Sequence, residues 1–435
     1  MEQLTLGLLG CGTVGTGVLK MLKDNASEIQ ARLGVPVRVK RIAVRDIDRP
    51  RDPVVDPALL TSDADEVVAD PEIDILVELI GGIEPAKTLI LKALEQGKPV
   101  VTANKALLAT HGPELFSFAE EQSADIHFEA SVCGGIPIVR TLRESLASDH
   151  IRTLHGIING TSNYILSKMS DEKLAYADAL RQAQELGYAE ADPTMDVDGT
   201  DAAQKLSILV GLGFGVRIDY TRIHRVALAH IDPLDVEYAA DFGYKIKPLA
   251  IARMHGDDLE ARVQPVMVPR TSPLGSVSGA FNAVLLNTYA LRPLLLYGQG
   301  AGMLPTAVSV ASDVIEVGRN LSRQSSGRLP HLAYTDPDAR NHRLLGSDDW
   351  ASPFFLRFSV VDRPGVLATI AGVLGEKKIS IYQMVQKNPG GGRPVQVVIF
   401  THHANFRHVR DSLQFLDGLE ITQQTTQSIP IEESL

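Results

Sequence analysis

Cysteine is nearly absent: Cys11 and Cys133 are the only two in 435 residues. This argues against a disulfide framework and fits a reducing compartment. No run of about 18 apolar residues occurs, so no membrane-spanning segment is expected. There is no basic block and no basic stretch interleaved with aromatics. With a net charge of −11, nucleic acid is not an expected partner. Low-complexity tracts and short-period repeats are missing too. The first strand pattern begins at Leu4, which leaves no room before it for a signal or transit peptide, so a cytoplasmic location is expected. What is present is 44% hydrophobic residues and a mean hydropathy of +0.03, the composition of a globular chain of two to three domains.

The most informative stretch runs from Gly187 to Lys205. It places five acids (Glu190, Asp192, Asp196, Asp198 and Asp201) and one lysine between a Gly-Tyr turn and an apolar helix. Leu206, Leu209 and Val210 give that helix its period. Asp201 and Lys205 are four residues apart and so share one helical face. A surface ion pair would satisfy this spacing. So would a pocket in which carboxylates hold an ammonium group and a lysine stands at a reacting oxygen.

Near the N-terminus, the apolar strand Leu4 to Leu9 runs into Gly10-Cys11-Gly12-Thr13-Val14-Gly15 and then a helical pattern. In this strand–turn–helix setting GxGxxG signals dinucleotide binding. Gly10 makes the turn, Gly12 admits the pyrophosphate, Gly15 permits close packing, and the helix start offers N–H groups to phosphate. The next strand, Val37 to Val44, ends in Arg45-Asp46, with Arg49 and Arg51 close behind. An acid there suits the ribose of NAD and an arginine the 2′-phosphate of NADP, and the order favours NADP.

Strands and helices alternate through the first third. Asp74 to Ile80, Lys98 to Thr102 and Asp125 to Val132 read as strands, with Gly81-Gly82 and Ala103-Asn104-Lys105 at strand ends. This predicts an α/β fold with a Rossmann-type doubly wound sheet over residues 1–137, completed by about 300–321 through a returning helix. An α+β substrate and dimerisation domain is expected over 138–299, a linker over 322–352, and a ferredoxin-like βαββαβ module over 353–435. A turn is expected at Pro389 to Pro394.

Thr102-Ala103-Asn104-Lys105, Asn159 to Leu166, and Gly187 to Pro193 onward to Lys205 resemble homoserine dehydrogenase of the longer, regulated type, over essentially the whole chain. From Asp362-Arg363-Pro364-Gly365 the C-terminal part resembles an ACT domain. From the length, no preceding aspartate kinase domain is expected. The resemblance implies interconversion of L-homoserine and L-aspartate 4-semialdehyde with NADP or NAD. Hydride exchange then requires a group to take and return the hydroxyl proton. It implies Lys105 and Lys205 as the catalytic lysines, without deciding which moves the proton. Thr161, Tyr188, Glu190, Asp196 and Asp201 are implied for substrate, with Asp192 and Asp198 as turn or capping residues. For the cofactor it implies Gly10, Gly12, Thr13, Val14, Gly15, Arg45, Thr102, Asn104, Lys105 and Gly302. Glu129, Val132, Gly134 and Ile136 match a sodium loop. L-Threonine is implied as effector, with Asp362, Gly365 and Gln386 as contacts, in a homodimer or homotetramer. A chain cut before Ala351 is expected to stay folded and active.

Two other readings compete. Cys133 as an acyl-forming nucleophile would make a semialdehyde dehydrogenase. Alternatively, the nucleotide fold and the amino-acid module would together form a non-catalytic sensor.

Overall fold

The computed structural model describes residues 1–335, 342–387 and 394–435; part of the expected turn at Pro389 to Pro394 lies outside them. The chain divides into two compact units.

The first unit comprises residues 1–152, 201–222 and 281–341. Its centre is a six-stranded parallel sheet. From edge to edge the strands are Leu60–Thr61, Val37–Ala43, Leu4–Leu9, Ile75–Glu78, Val100–Thr102 and Ile126–His127, the chain order 3-2-1-4-5-6. Leu4, Leu6 and Leu8 are buried on it because helices cover both faces, as parallel sheets require. One covering helix, Met303–Arg323, returns from late in the chain. Its Ala307, Val310, Val314 and Val317 join Leu4, Leu6 and Val18 in one core.

The strand expected from Asp125 to Val132 is shorter than its apolar pattern suggests. It ends at His127, because the Glu129 N–H leaves the ladder for the Asp313 carboxylate at 2.8 Å. The unit also contains the antiparallel pair Phe281–Thr288 and Pro293–Gln299.

The second unit comprises residues 153–200, 223–280 and 342–435. Strands Tyr244–His255 and Asp258–Pro269 form a long antiparallel hairpin, and Thr153 to Gly156 pairs with the first of them. Helices Gly160–Glu172, Tyr176–Glu185 and Pro233–Asp241 belong to the same unit.

The C-terminal part shows the expected βαββαβ order. Strands Phe354–Val360, Ile381–Lys387, Val395–Thr401 and Thr422–Pro430 form one antiparallel sheet, with helices Val366–Glu376 and Phe406–Asp417. Phe354, Leu356, Phe358 and Val360 face the two helices. The alternate face carries Phe355, Val398, Phe400 and Ile429, which share a core with Tyr164, Leu166, Tyr238 and Met267. On that same face the Arg357 Nε donates to Asp235 at 2.5 Å, both side chains being buried. Glu432 accepts from Arg253 at 2.6 Å and lies 3.6 Å from His155. Burial pushes its carboxyl up, but His155 and Arg253 outweigh this and hold it well below the carboxylate range.

This packing argues against the expectation that a chain cut before Ala351 keeps its fold. Both faces of the C-terminal sheet are covered, one by its own helices and one by the substrate-domain core.

The stretch 322–352 also has packed pieces. His331 stacks on Phe116 at 5.3 Å and accepts from the Ile126 N–H, while Trp350 is buried under the Arg262 guanidinium at 5.2 Å.

Candidate active site

At the nucleotide turn, Gly10 adopts φ +99°, and a Cβ there would stand 2.9 Å from the Leu79 carbonyl. A Cβ at Gly15 would stand 2.6 Å from the Gly10 oxygen. Neither position tolerates a side chain. Gly12 differs: a Cβ there would meet nothing within 4 Å. Open space therefore lies over the start of helix Thr13–Asp24, which has no side-chain cap, and Thr13 and Val14 provide its first N–H groups. An uncapped helix start beside open space suits a pyrophosphate. Gly302 begins helix Met303–Arg323, likewise without a side-chain cap. Arg45 is exposed at the end of the second strand. Its neighbour Asp46 spends one carboxylate oxygen on the N–H groups of Asp48 and Arg49.

Two adjacent strand ends are tied together by a residue that sequence reasoning missed. Glu78 is fully buried. One carboxylate oxygen accepts the Ile80 and Gly81 N–H groups, and the other accepts the Thr102 hydroxyl at 2.6 Å. The Thr102 hydroxyl oxygen in turn accepts the Asn104 N–H, and the Asn104 amide donates to the Gly82 carbonyl at 2.7 Å. The Asn104 Oδ1 caps helix Lys105–Glu121 through the Leu107 N–H. The available signal was an acid inside the apolar strand Asp74 to Ile80. A buried carboxylate at that place must be satisfied by nearby donors.

Lys105 opens that helix, and its Nζ lies 3.1 Å from the Asp201 Oδ1. The Lys205 Nζ donates to the Asp201 Oδ2 at 2.7 Å. Asp201 is buried, Lys205 is mostly buried, and the Lys105 side chain is 36% exposed. The carboxylate sits in the first turn of helix Thr200–Phe214, where the helix dipole favours a negative charge. The structure thus places Asp201, read as an ammonium partner for substrate, between two lysines of the chain itself. Two ammonium groups brought to one carboxylate are placed to stabilise charge developing on an oxygen.

In the second unit, Asn159 caps helix Gly160–Glu172 and donates to the Asp196 carboxylate at 2.8 Å. The Ser162 hydroxyl donates to the Asp196 carbonyl, and the Thr161 hydroxyl donates to the Tyr188 carbonyl at 2.6 Å. The Tyr188 ring lies 4.9 Å from that of Tyr164. One helix start thereby holds the acidic loop, with Glu190 exposed on it. Asp192 and Asp198 serve the turns, accepting from Thr194 and from the Thr200 N–H. Below this loop, Lys247 is almost wholly buried and donates to the Val277 carbonyl. Burial and the neighbouring Lys245 pull its ammonium down to about 8.

Both carboxylate oxygens of Glu129 accept backbone N–H groups, from Val139 and Arg140, at 2.8 Å. Among the described residues no group of three or more His, Cys, Asp or Glu side chains could hold a metal ion. Val132 is buried at the end of this turn, and the Gly134 carbonyl accepts the Ser309 hydroxyl, while the Ile136 N–H donates to the Cys133 carbonyl. Asp362 and Gly365 share one turn, with Gly365 at the start of helix Val366–Glu376. Gln386 is not with them: it lies on the edge strand, separated from the strand leading into that turn by Val395–Thr401.

Residues 10–129 match the family model "Homoserine dehydrogenase, NAD binding domain", 137–315 match "Homoserine dehydrogenase", and 354–418 match "ACT domain". The homoserine dehydrogenase of Pseudomonas aeruginosa is 41% identical over 434 residues, 100% of both chains. That of Neisseria gonorrhoeae is 40% identical over 432 residues, 99% of each. The chain belongs to the homoserine dehydrogenase family. A crystal structure of the homoserine dehydrogenase from Thiobacillus denitrificans superposes with a TM-score of 0.94 at 43% identity, covering 100% of this chain and 99% of that one. A hyperthermophilic archaeal homoserine dehydrogenase in complex with NADPH gives 0.61 at 27% identity, over 72% of this chain and 97% of that one.

A homoserine dehydrogenase is an oxidoreductase that interconverts L-homoserine and L-aspartate 4-semialdehyde with a nicotinamide dinucleotide, and this chain carries that activity together with an ACT domain. The readings as a semialdehyde dehydrogenase or a non-catalytic sensor fall away. Cys133 is buried, and burial pushes its thiol up to about 11, far from a reactive thiolate.

Proposed function

We propose that Lys105 and Lys205, held by Asp201, are the catalytic groups of this homoserine dehydrogenase. The shared carboxylate carries the proposal, because it fixes both ammonium groups within one short reach. When bound, the nicotinamide gives or takes the hydride. One lysine returns the proton to the aldehyde oxygen on reduction and withdraws it on oxidation, and the other stabilises the oxygen's negative charge. Gly10, Gly12, Thr13, Val14, Gly15, Thr102, Asn104 and Gly302 line the cofactor's place. Arg45 favours NADP, since Asp46 is engaged in its own turn. Thr161, Tyr188, Glu190 and Asp196 form the substrate side, where carboxylates meet the homoserine ammonium. Following NADPH absorbance with aspartate semialdehyde, for the full chain and for Lys105→Ala and Lys205→Ala, tests this. Variants with near-normal kcat would contradict the assignment.

The ACT domain supports regulation by L-threonine at the Asp362–Gly365 turn, whose helix start has no side-chain cap. The chain functions as a homo-oligomer in the cytoplasm. Pro293–Gln299 is a sheet-edge strand with Leu295 and Tyr297 exposed, a surface that a second copy would cover. Sodium at Glu129 is a finer reading: the buried carboxylate is pushed up to about 7 by burial and by Asp313, a situation that a cation relieves. Its amide bonds leave lone pairs for one ion. Activity measured with sodium and with choline as the counter-ion checks this.

A further inference from the structure

Within the second unit, helix Phe406–Asp417 of the ACT domain and strand Asp258–Pro269 of the substrate domain both line a cavity of about 370 Å³. Phe406, Val409, Arg410 and Leu413 recur at helical spacing, so one face of the helix makes one wall. Ile231, Pro265 and Ile429 continue the apolar lining. The volume lies in the range of small-molecule sites, which set a few polar groups in an apolar wall.

One buried polar side chain stands in that wall without a partner. Gln264 is 3% exposed, and its amide nitrogen meets no hydrogen-bond acceptor among the described residues. Its strand neighbours are better served. Arg262, two residues earlier on the same face, is engaged by Glu260 at 2.7 Å and lies over the Trp350 ring. A buried amide donor left unpaired is costly, and an acceptor on a ligand removes that cost. The lining also disfavours charge. Among the described residues no carboxylate lines the cavity, so an ammonium would find no counter-charge there. Of the basic groups on the lining, Arg410 is already held by Asp348 and Asp411, and His230 is exposed. A carboxylate would therefore give up its water for little return.

We propose that this cavity is a small-molecule site for an uncharged carboxamide on an apolar body. The carboxamide both donates and accepts, so it meets the Gln264 amide whichever way that planar group is turned. The body packs on Phe406, Val409, Leu413 and Ile429. Because the walls come from the ACT helix and from the substrate-domain strand, the bound molecule touches both and stabilises the folded chain by mass action. The site uses none of the residues assigned to the Asp362–Gly365 turn or to the two lysines.

Calorimetric titration of the full-length chain with 4-methylpentanamide tests this. The expected result is saturable heat and a melting temperature that rises with the amide concentration. Gln264→Leu keeps the bulk and removes the amide. It should bind the probe about tenfold more weakly, yet melt no lower than the parent, since an unpaired buried donor has gone. Ala227→Leu fills the cavity and leaves Gln264 in place; it should abolish binding with the NADPH-dependent rate unchanged. 4-Methylpentan-1-amine and 4-methylpentanoate carry the same body with a charge, and each should bind at least tenfold more weakly than the amide. No saturable heat with the amide, or charged analogues that bind as tightly, would overturn the proposal. So would either variant binding as the parent does, or a Gln264→Leu chain that melts well below it, which would show the amide already satisfied within the fold.

Discussion

At Asp201 one carboxylate serves two ammonium groups, so its loss disturbs both at once. Asp201→Ala should lower kcat at least as much as Lys105→Ala or Lys205→Ala, each by roughly 10²–10⁴-fold. NADPH binding, followed by fluorescence, should change little. A rise in KM for homoserine at unchanged kcat would instead make Asp201 an ammonium contact. The Asp201 and Lys205 pairing was legible from their spacing on one helix face. The Lys105 contact was not, because it joins two helices far apart in sequence. Glu78 was missed for a related reason: its partner Thr102, which in turn accepts from Asn104, belongs to the neighbouring strand end. Glu78→Ala should raise KM for the cofactor more than for homoserine, by releasing the Gly81 turn and the Asn104 cap together. Lys247 gives a pH-dependent prediction. Its ammonium sits at about 8 in the folded chain, against roughly 10.4 when unfolded. Between these values the unfolded chain binds the extra proton, so stability attributable to Lys247 rises with pH, by up to about 3 kcal/mol. Denaturant melts at pH 7 and pH 10 should show a smaller rise in Lys247→Met than in the parent chain; equal slopes would contradict it.

The elements themselves were largely readable. The strand–turn–helix start, the returning helix Met303–Arg323 and the βαββαβ order all follow from apolar periods and turn residues. What periodicity could not give was the destination of the second face of the C-terminal sheet. The strand Phe354–Val360 is buried at every position, with helices on one side and Tyr164 and Tyr238 in the core on the other. The buried charge on that second face at Arg357 was the clue, since a buried guanidinium demands a carboxylate. Removing residues from Ala351 onward would delete Phe355, Val398, Phe400 and Ile429 and so uncover Tyr164, Leu166, Tyr238 and Met267, with roughly 1.5–3 kcal/mol at stake for each large apolar side chain. It would also strip Asp235 of its Arg357 partner. The truncated chain should therefore aggregate or melt well below the full chain in calorimetry; an intact, active fragment would refute this. Arg357→Ala alone should cost about 3–5 kcal/mol, and Arg357→Ala with Asp235→Ala should cost less than the sum of the two single changes.

For the whole molecule, the family resemblance of the motifs implied the activity, and the comparisons agree over the full length of the chain. Assembly and regulation belong to this scale. Light scattering should find more than one copy per particle, and Leu295→Lys with Tyr297→Asp should shift the particle toward the monomer. L-Threonine should lower activity through two states of unequal affinity, and Asp362→Ala should blunt that response without changing the rate measured in its absence. The central claim is a homoserine dehydrogenase whose two lysines are organised by Asp201. Its most direct test is the steady-state rate of NADPH oxidation by aspartate semialdehyde, measured for the full chain and for Lys105→Ala, Lys205→Ala and Asp201→Ala. The account predicts a robust rate for the parent and a kcat lower by roughly 10²-fold or more in every variant, with cofactor binding retained. A parent chain that is inactive with homoserine or its semialdehyde, or variants that turn over as the parent does, would contradict it.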